Sequence, residues 1–311
     1  MSKDADSALR DLLKLLKSRG YHFVTPTPAS HQRVVARADM REARDLRGLL
    51  GWSLPAPAGT DDAVEDLLRQ AGMLDEPDGR VKSRLRVSSL GGQLWLHSAY
   101  PTEAKDAVFF GPDTYRFATL IGDELSRRPL ARGAHIVDMG AGAGVGGIVA
   151  GLCSDAPQVS LTDLNPKALR LARVNAVGAG VAAETIESET LDKVADPIDL
   201  AVINPPYIID DGDRAYRDGG GMHGGEVPFN MTAMAARRLA PGGRLILYTG
   251  AAIVGGRNPL CEAIGALAEQ LGLAHRCREL DPDVFGEELE KPAYAEVERI
   301  ALVAVTLERP S

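Results

Sequence analysis

The segment whose residue types are best suited to catalysis is Asn204-Pro205-Pro206-Tyr207, which directly follows the apolar run 198–203. Neither proline can offer a backbone N–H to a neighbouring strand, so the chain should leave a sheet here along a stiff path. The segment presents an amide side chain, main-chain carbonyls and an aromatic ring, which suit a planar NH₂ group better than a hydroxyl or a thiol. We therefore expect catalysis on a planar nitrogen at the end of a buried strand.

A glycine-rich segment at the end of an earlier apolar run forms a second candidate site. Its glycines permit a tight turn and let a ligand lie against bare backbone at the start of a helix. The residues concerned are Asp138, Gly140, Ala141, Gly142, Ala143 and Gly144. The next predicted strand ends near Asp163, whose carboxylate can accept hydrogen bonds from both hydroxyls of a ribose. Because the glycine spacing also fits the dinucleotide pattern, an NAD-dependent dehydrogenase is an alternative interpretation.

The combination of these segments is more specific than either segment alone. Residues 134–307 resemble a class I S-adenosylmethionine-dependent methyltransferase. The glycine loop, Asp163-Leu164-Asn165-Pro166 and the Asn-Pro-Pro-Tyr segment together are similar to the release-factor glutamine methyltransferase group. Relatives with the same tetrapeptide methylate adenine N6 or guanine N2 in DNA and RNA. The resemblance therefore implies N-methylation and leaves the acceptor open.

The resemblance also implies which residues hold S-adenosylmethionine. The glycine loop would bind the methionine part, while Asp163, with Leu164 and Asn165, would bind the ribose side. The segment after the third strand would meet the adenine edge, and it comprises Ser188, Glu189 and Thr190. Thr114 belongs to Phe110-Gly111-Pro112-Asp113-Thr114, which resembles the family's loop over the cofactor. Gly111 stands where that loop usually carries an arginine.

For the reaction itself, we infer direct displacement without a covalent enzyme intermediate. The two protons of the acceptor nitrogen would donate hydrogen bonds to the side-chain oxygen of Asn204 and to the carbonyl of Pro205. Tyr207 would stack on the planar acceptor, and Pro206 would line the same subsite. Asn204 would also lie against the cofactor. No metal ion is implied.

The periodicity of apolar residues predicts two domains, 1–108 and 109–311. In the first, helices are predicted from about Leu9 to Gly20, from Asp39 to Leu50 behind a capping box with Glu42, and from Thr60 or Asp61 to Gly72. A hairpin over 80–97 should follow, with one basic face made of Arg80, Lys82, Arg84 and Arg86. Helices followed by such a hairpin resemble a winged helix and predict a region that recognises the acceptor.

In the second domain, strands and helices alternate, which predicts an α/β fold with a doubly wound, mostly parallel Rossmann-like methyltransferase sheet. Strands are expected over 135–139, 158–162, 183–187, 198–203, 242–249, 275–280 and 300–307, and helices over 145–153, 166–177 and 258–271. The glycine-rich segment 210–230 is expected to be a long flexible connection. It is interpreted as a lid, with disorder of no functional consequence as the alternative.

Composition sets broad limits on the class of protein. The chain has 311 residues, 45% hydrophobic and 25% charged, with a formal net charge of −8, which is typical of a soluble globular protein. The acidic excess lies in residues 133–311, so the catalytic half carries no electrostatic signature for nucleic acid. The three cysteines are an odd number without a Cys-x-x-Cys pair, so we expect no disulfide framework, no zinc site and a cytoplasmic location.

These observations rank the possible acceptors without identifying one. A protein glutamine comes first, a nucleobase in RNA or DNA second and a small metabolite third. A macromolecular acceptor is therefore expected, with no membrane association, and the oligomeric state stays open. A degenerate domain that only binds a partner is the non-enzymatic alternative, which the intact glycine loop, Asp163 and the Asn-Pro-Pro-Tyr segment disfavour.

Overall fold

A computed structural model describes residues 3–209 and 218–311. The helices are α1 (Lys3–Ser18), α2 (Pro28–Val35), α3 (Leu46–Leu50), α4 (Asp62–Gln70), α5 (Pro112–Arg127), α6 (Val145–Leu152), α7 (Pro166–Ala179), α8 (Gly221–Gly224), α9 (Glu226–Ala236) and α10 (Pro259–Leu271). The strands are β1 (Ala56–Pro57), β2 (Leu74–Asp75), β3 (Arg80–Ser83), β4 (Leu85–Leu90), β5 (Gln93–Ser98), β6 (His135–Met139), β7 (Gln158–Asp163), β8 (Ala183–Glu187), β9 (Ile198–Ile203), β10 (Leu239–Ile253), β11 (Ala274–Asp281) and β12 (Arg299–Glu308).

A seven-stranded sheet forms the centre of the molecule, in the order β11-β12-β10-β9-β6-β7-β8. Strand β12 runs antiparallel to both of its neighbours, and the other six strands are parallel to one another. The chain moves outward in one direction from β6 and in the other direction from β9. The adjacent strands β6 and β9 therefore mark the switch point at which open α/β sheets bind ligands. The predicted doubly wound, mostly parallel sheet is confirmed.

Helices cover both faces of the sheet. Successive strand residues point to opposite faces, so neighbouring residues of one strand pack against different helices. In β9, Leu200 and Val202 pack in a cluster with α5, α6 and α7, whereas Ala201 and Ile203 pack in a second cluster with α9 and α10. Such strands are buried on both sides and consist of nearly continuous apolar residues.

The N-terminal region contains α1 to α4, a three-stranded sheet in the order β1-β3-β2 and the β4-β5 hairpin. It packs on α7 of the larger unit, where the Asn175 side chain accepts a hydrogen bond from the Leu96 N–H at 2.9 Å and donates to the Leu96 carbonyl at 3.0 Å. Leucines of α1 belong to the same hydrophobic cluster as α5, α6 and α7. Residues of the two predicted domains therefore share one apolar core.

The sequence predicted some N-terminal elements correctly and others wrongly. Helices α1 and α4 and the hairpin turn at Gly91-Gly92 agree with the prediction. The predicted helix from Asp39 is wrong, because Asp45 is the residue that caps the short α3, accepting from the Gly48 N–H at 2.7 Å. Helix α2 was not predicted. The single basic face is also wrong, since Arg86 is only 4% exposed.

Two further expectations need correction. Cys261 on α10 and Cys277 on β11 form a disulfide, with Cα atoms 6.2 Å apart, because the helix packs alongside the edge strand. The segment 210–230 is not one long connection, since α8 and the start of α9 lie within it. The part of the predicted lid at 210–217 lies outside the described residues. In the described ranges, no helix combines the length and the apolar character needed to cross a membrane.

Candidate functional site

The predicted site residues converge at the carboxyl edge of the sheet because three strands end in register. Met139, the last residue of β6, pairs with Thr162 of β7 on one side and with Ile203 of β9 on the other. Neighbouring strands lie about 4.8 Å apart. The next residues along the chain are Gly140, Asp163, which is the last residue of β7, and Asn204, and they therefore lie side by side.

The glycine loop adopts a conformation that requires glycine. Gly140, Gly142 and Gly144 have φ angles of 66°, 54° and 82°, in the left-handed region that other residues rarely adopt. Gly144 caps the start of α6, and no atom lies within 4 Å of the position that a Cβ of Gly142 would take. The intervening Ala141 and Ala143 are buried. The loop thus presents open backbone near the N-terminus of a helix, as predicted.

Asp163 fixes the loop from the neighbouring strand. Its carboxylate accepts hydrogen bonds at 2.8 Å from the backbone N–H of Gly142 and at 2.8 Å from that of Asn165. Burial raises the pKa of this carboxyl, and the backbone N–H donors oppose the shift. An ionised carboxylate offers about four lone-pair sites, so Asp163 can still accept a hydrogen bond from a ligand hydroxyl. Leu164, the next residue, is 59% exposed at the same edge.

Asp138 lies beneath the loop and is 2% exposed. Its carboxylate accepts a 2.7 Å hydrogen bond from the backbone N–H of Gly147 in the first turn of α6. Burial raises the pKa of Asp138 from 3.8 to about 7, the Gly147 donor lowers it, and the charge of Asp163 adds to the increase. Asp138 is therefore an internal support of the loop that can carry a proton near neutral pH.

The clamp segment, residues 204–207, begins with two unused hydrogen-bond acceptors. Asn204 is partly exposed and Pro205 is buried. Within residues 3–209 and 218–311, neither the Asn204 side chain nor the Pro205 carbonyl has a hydrogen-bond partner. Both groups are oxygen acceptors, so a ligand that presents N–H donors at this strand end can hydrogen-bond to them.

Tyr207 is held in place on several sides and is 9% exposed. Its hydroxyl donates to Asp113 Oδ2 at 2.7 Å, and its ring lies edge-on to Phe285 with centroids 5.9 Å apart. A Cβ on Gly250 of β10 would lie 2.4 Å from the tyrosine ring, so glycine at that position makes room for the ring. Stacking of this ring on an acceptor stays a prediction.

The segment before α5 reaches the same edge of the sheet. Thr114 is buried, and its hydroxyl accepts a 3.2 Å hydrogen bond from the Gly111 N–H. A Cβ at Gly111 would lie 2.6 Å from the Phe109 ring. A side chain as large as arginine therefore cannot stand at 111 unless that ring moves, which gives a packing reason for the glycine.

The predicted adenine-edge residues follow β8 at the end of the sheet next to Asp163. The Ser188 N–H donates to the Asp163 carbonyl at 3.2 Å, and the Thr190 hydroxyl donates to Asp192 at 2.9 Å. Glu189 between them is exposed. The backbone thus links this segment to the strand end that carries the predicted ribose-binding carboxylate.

The sequence alone did not identify three residues that surround the clamp segment, Tyr248, Gly250 and Phe285. It also did not identify the contact between Asp113 and Tyr207. These residues lie far from Tyr207 along the chain, so no local pattern identifies them. In the part of the chain that the structure describes, no group of three or more His, Cys, Asp or Glu side chains could hold a metal ion. The site can therefore be described from its glycine loop, two carboxylates and clamp segment.

Comparisons with known proteins agree with this architecture. Residues 118–265 match the family described as methyltransferase small domain. The release factor glutamine methyltransferase of Deinococcus radiodurans is 29% identical over 293 residues, which cover 90% of this chain and 96% of the relative. The enzyme of the same name from Mycolicibacterium smegmatis is 36% identical over 129 residues, covering 37% of this chain and 45% of the relative.

Solved structures show the same fold at low identity. The crystal structure of wild-type Trm5b from Pyrococcus abyssi superposes with a TM-score of 0.50 and 13% sequence identity, covering 80% of this chain and 68% of that chain. At this identity the similarity concerns the fold alone.

Proposed function

We infer that this chain, which is a class I S-adenosylmethionine-dependent methyltransferase, methylates the side-chain amide nitrogen of a glutamine in a protein. The observation that carries the proposal is the pair of free acceptors, Asn204 and the Pro205 carbonyl, beside the glycine loop. A primary amide nitrogen has two protons, and two acceptors match them. The named relative that aligns over 96% of its length supports the same acceptor class.

The residues at the glycine loop fit S-adenosylmethionine. The open backbone at Gly142 leaves space for the methionine part, and the carboxylate of Asp163 can accept hydrogen bonds from ribose hydroxyls. The exposed side chain of Leu164 and the segment 188–190 lie where the adenine would follow. The negative charge of Asp163 also complements a cationic ligand.

When bound, the cofactor supplies a methyl group on a positively charged sulfur. The clamp prepares the acceptor, whose amide nitrogen is a poor nucleophile because its lone pair is delocalised. Hydrogen bonds from both N–H groups to Asn204 and Pro205 favour a pyramidal, electron-rich nitrogen as its bond to carbon forms and the carbon–sulfur bond breaks. The nitrogen then releases one proton to solvent, and the chain itself forms no covalent bond.

We also propose that residues 1–108 present the acceptor to residues 109–311. The region packs on α7 and joins the loop before α5, which reaches the site edge. Its hairpin offers less free positive charge than the sequence suggested. Arg84 binds Asp75 at 2.7 Å, and Arg86 donates to a backbone carbonyl inside the protein. A protein acceptor therefore has more support than the phosphate backbone of a nucleic acid.

Methyl transfer from labelled S-adenosylmethionine tests the proposal directly. We expect the purified protein to add one methyl group to a glutamine of a peptide-chain release factor, identified by peptide mass spectrometry. When the macromolecules of a cell extract are labelled in this way, protease digestion should release the labelled methyl group in small fragments, and nuclease digestion should not. Label that nuclease releases would favour the nucleobase alternative, and absence of S-adenosylmethionine binding with tight NAD binding would overturn the assignment.

Enlarging Gly250 is expected to disturb the clamp without touching the cofactor loop. In Gly250→Ala, the new Cβ would overlap the Tyr207 ring at 2.4 Å, so kcat should fall by about 10- to 100-fold as the ring shifts. Gly122→Ala on α5 is the matched control, because a Cβ there meets no atom within 4 Å. Steady-state kinetics and thermal melting of both variants check this, and unchanged kcat in Gly250→Ala would contradict it.

A further inference from the structure

A buried carboxylate connects three segments of the site. Asp113 lies in the first turn of α5 and accepts hydrogen bonds from the hydroxyls of Tyr207 at 2.7 Å and Tyr248 at 2.9 Å. Tyr207 ends the clamp segment, and Tyr248 lies on the neighbouring strand β10. Arg116, on the next turn of α5, approaches the same carboxylate at 3.4 Å. The Asp113 side chain thus connects the start of α5 with the clamp segment and with strand β10.

The hydrogen bonds between Asp113 and the two tyrosines are of a strong type. Hydrogen bonds to a carboxylate are shorter and stronger than those between neutral groups, and each oxygen of Asp113 takes one tyrosine hydroxyl. Burial, followed by the charge of Asp113, raises the pKa of both phenols, so both remain donors at neutral pH. The negative charge also lies at the favourable N-terminal end of a helix.

The contact matters for the clamp because Tyr207 is only three residues from Asn204. Pro205 and Pro206 separate the two residues. Because proline has a fixed φ angle, the position of Tyr207 restricts the position of Asn204. Gly250 leaves space for the ring, and Asp113 holds its hydroxyl. The orientation of the Asn204 amide and of the Pro205 carbonyl therefore depends on an anchor outside the tetrapeptide.

We propose that Asp113 is a positioning residue that orients the Asn204 and Pro205 acceptors through Tyr207, with Tyr248 fixing the carboxylate from the opposite side. The proposal rests on the proposed methyl transfer at the clamp. It assigns Asp113 no contact with the substrate or the cofactor. Catalytic geometry must be held to a fraction of an ångström, so loss of this anchor should reduce turnover more than it reduces binding.

Substitutions of Asp113 and Tyr207 in the full chain test the assignment. We expect kcat to fall about 10-fold in Asp113→Asn, which keeps the shape and one acceptor, and about 100-fold in Asp113→Ala. The dissociation constant for S-adenosylmethionine should stay within about twofold. Tyr207→Phe should resemble Asp113→Asn, and the double variant should be no worse than either single one, because both remove the same link.

A second readout does not need the acceptor. Tyrosine labelled with ¹³C at Cζ reports hydrogen bonding of the hydroxyl, and the Tyr207→Phe and Tyr248→Phe variants assign the two resonances. Both should move in Asp113→Asn. Asp199→Asn is the matched control, since Asp199 accepts from the His135 N–H at the opposite edge of the same sheet. That variant should leave both resonances and kcat unchanged.

The outcomes separate this proposal from the proposed function. If the wild-type chain transfers no methyl group to a protein glutamine, the proposed function fails and the positioning role fails with it. If the wild type is active and Asp113→Asn keeps full kcat, only the positioning role is overturned. Unmoved Cζ resonances in Asp113→Asn would overturn it as well, whatever the rate.

Discussion

Replacing Asn204 with alanine is expected to lower kcat by about 10³-fold, while S-adenosylmethionine binding falls by less than about tenfold. The substitution removes one of the two free acceptors at the strand end and leaves the glycine loop and Asp163 untouched. The amide nitrogen would then lose the hydrogen bond that strengthens as its lone pair localises. Single-turnover methyl transfer and cofactor titration by calorimetry measure the two quantities separately.

A second asparagine-to-alanine variant serves as a control that distinguishes an effect on catalysis from an effect on stability. Asn258 caps α10 and accepts from the Cys261 N–H at 2.9 Å. Asn258→Ala should cost about 1 kcal/mol of stability and leave kcat unchanged. Turnover by Asn204→Ala within about tenfold of the wild type would remove the clamp from the mechanism, because loss of a transition-state hydrogen bond should cost at least 10²-fold.

The sequence predicted the sheet better than the N-terminal region for a physical reason. Strands β6 and β9 begin and end where the sequence predicted, because buried parallel strands are short apolar runs between turn residues. Helices α2 and α3 of the N-terminal region are short and depend on single caps. Thr27 followed by Pro28 was a usable start signal for α2, and its hydroxyl does accept from the Ser30 N–H.

The surroundings of the clamp could not be predicted from the sequence. Asp113 and Tyr207 are 94 residues apart, and Asp113 and Tyr248 are 135 apart, so only the tertiary fold brings them together. The same holds for the Cys261 and Cys277 pair, which are 16 residues apart and meet because α10 lies beside β11. Local patterns identify the groups that touch a ligand, whereas long-range packing decides what orients them.

Asp138 is expected to make the stability of the free protein depend on pH. Burial gives this carboxyl a folded-state pKa of about 7, compared with 3.8 for the ordinary group. The folded state therefore holds the proton more tightly than the unfolded state. Its stabilising contribution is fully present below the unfolded value and is lost as the pH rises through about 7. The loss corresponds to about 4 kcal/mol in total.

Asp138→Asn isolates this effect because the amide is neutral at every pH. Between about pH 5 and about pH 8, the wild type should lose about 3 kcal/mol more of its free energy of unfolding than the variant does. Urea denaturation without cofactor at both pH values measures the difference. Parallel pH profiles for the two proteins would mean that the buried carboxylate is ionised throughout. The Gly147 N–H and the start of α6 would then compensate its charge in full.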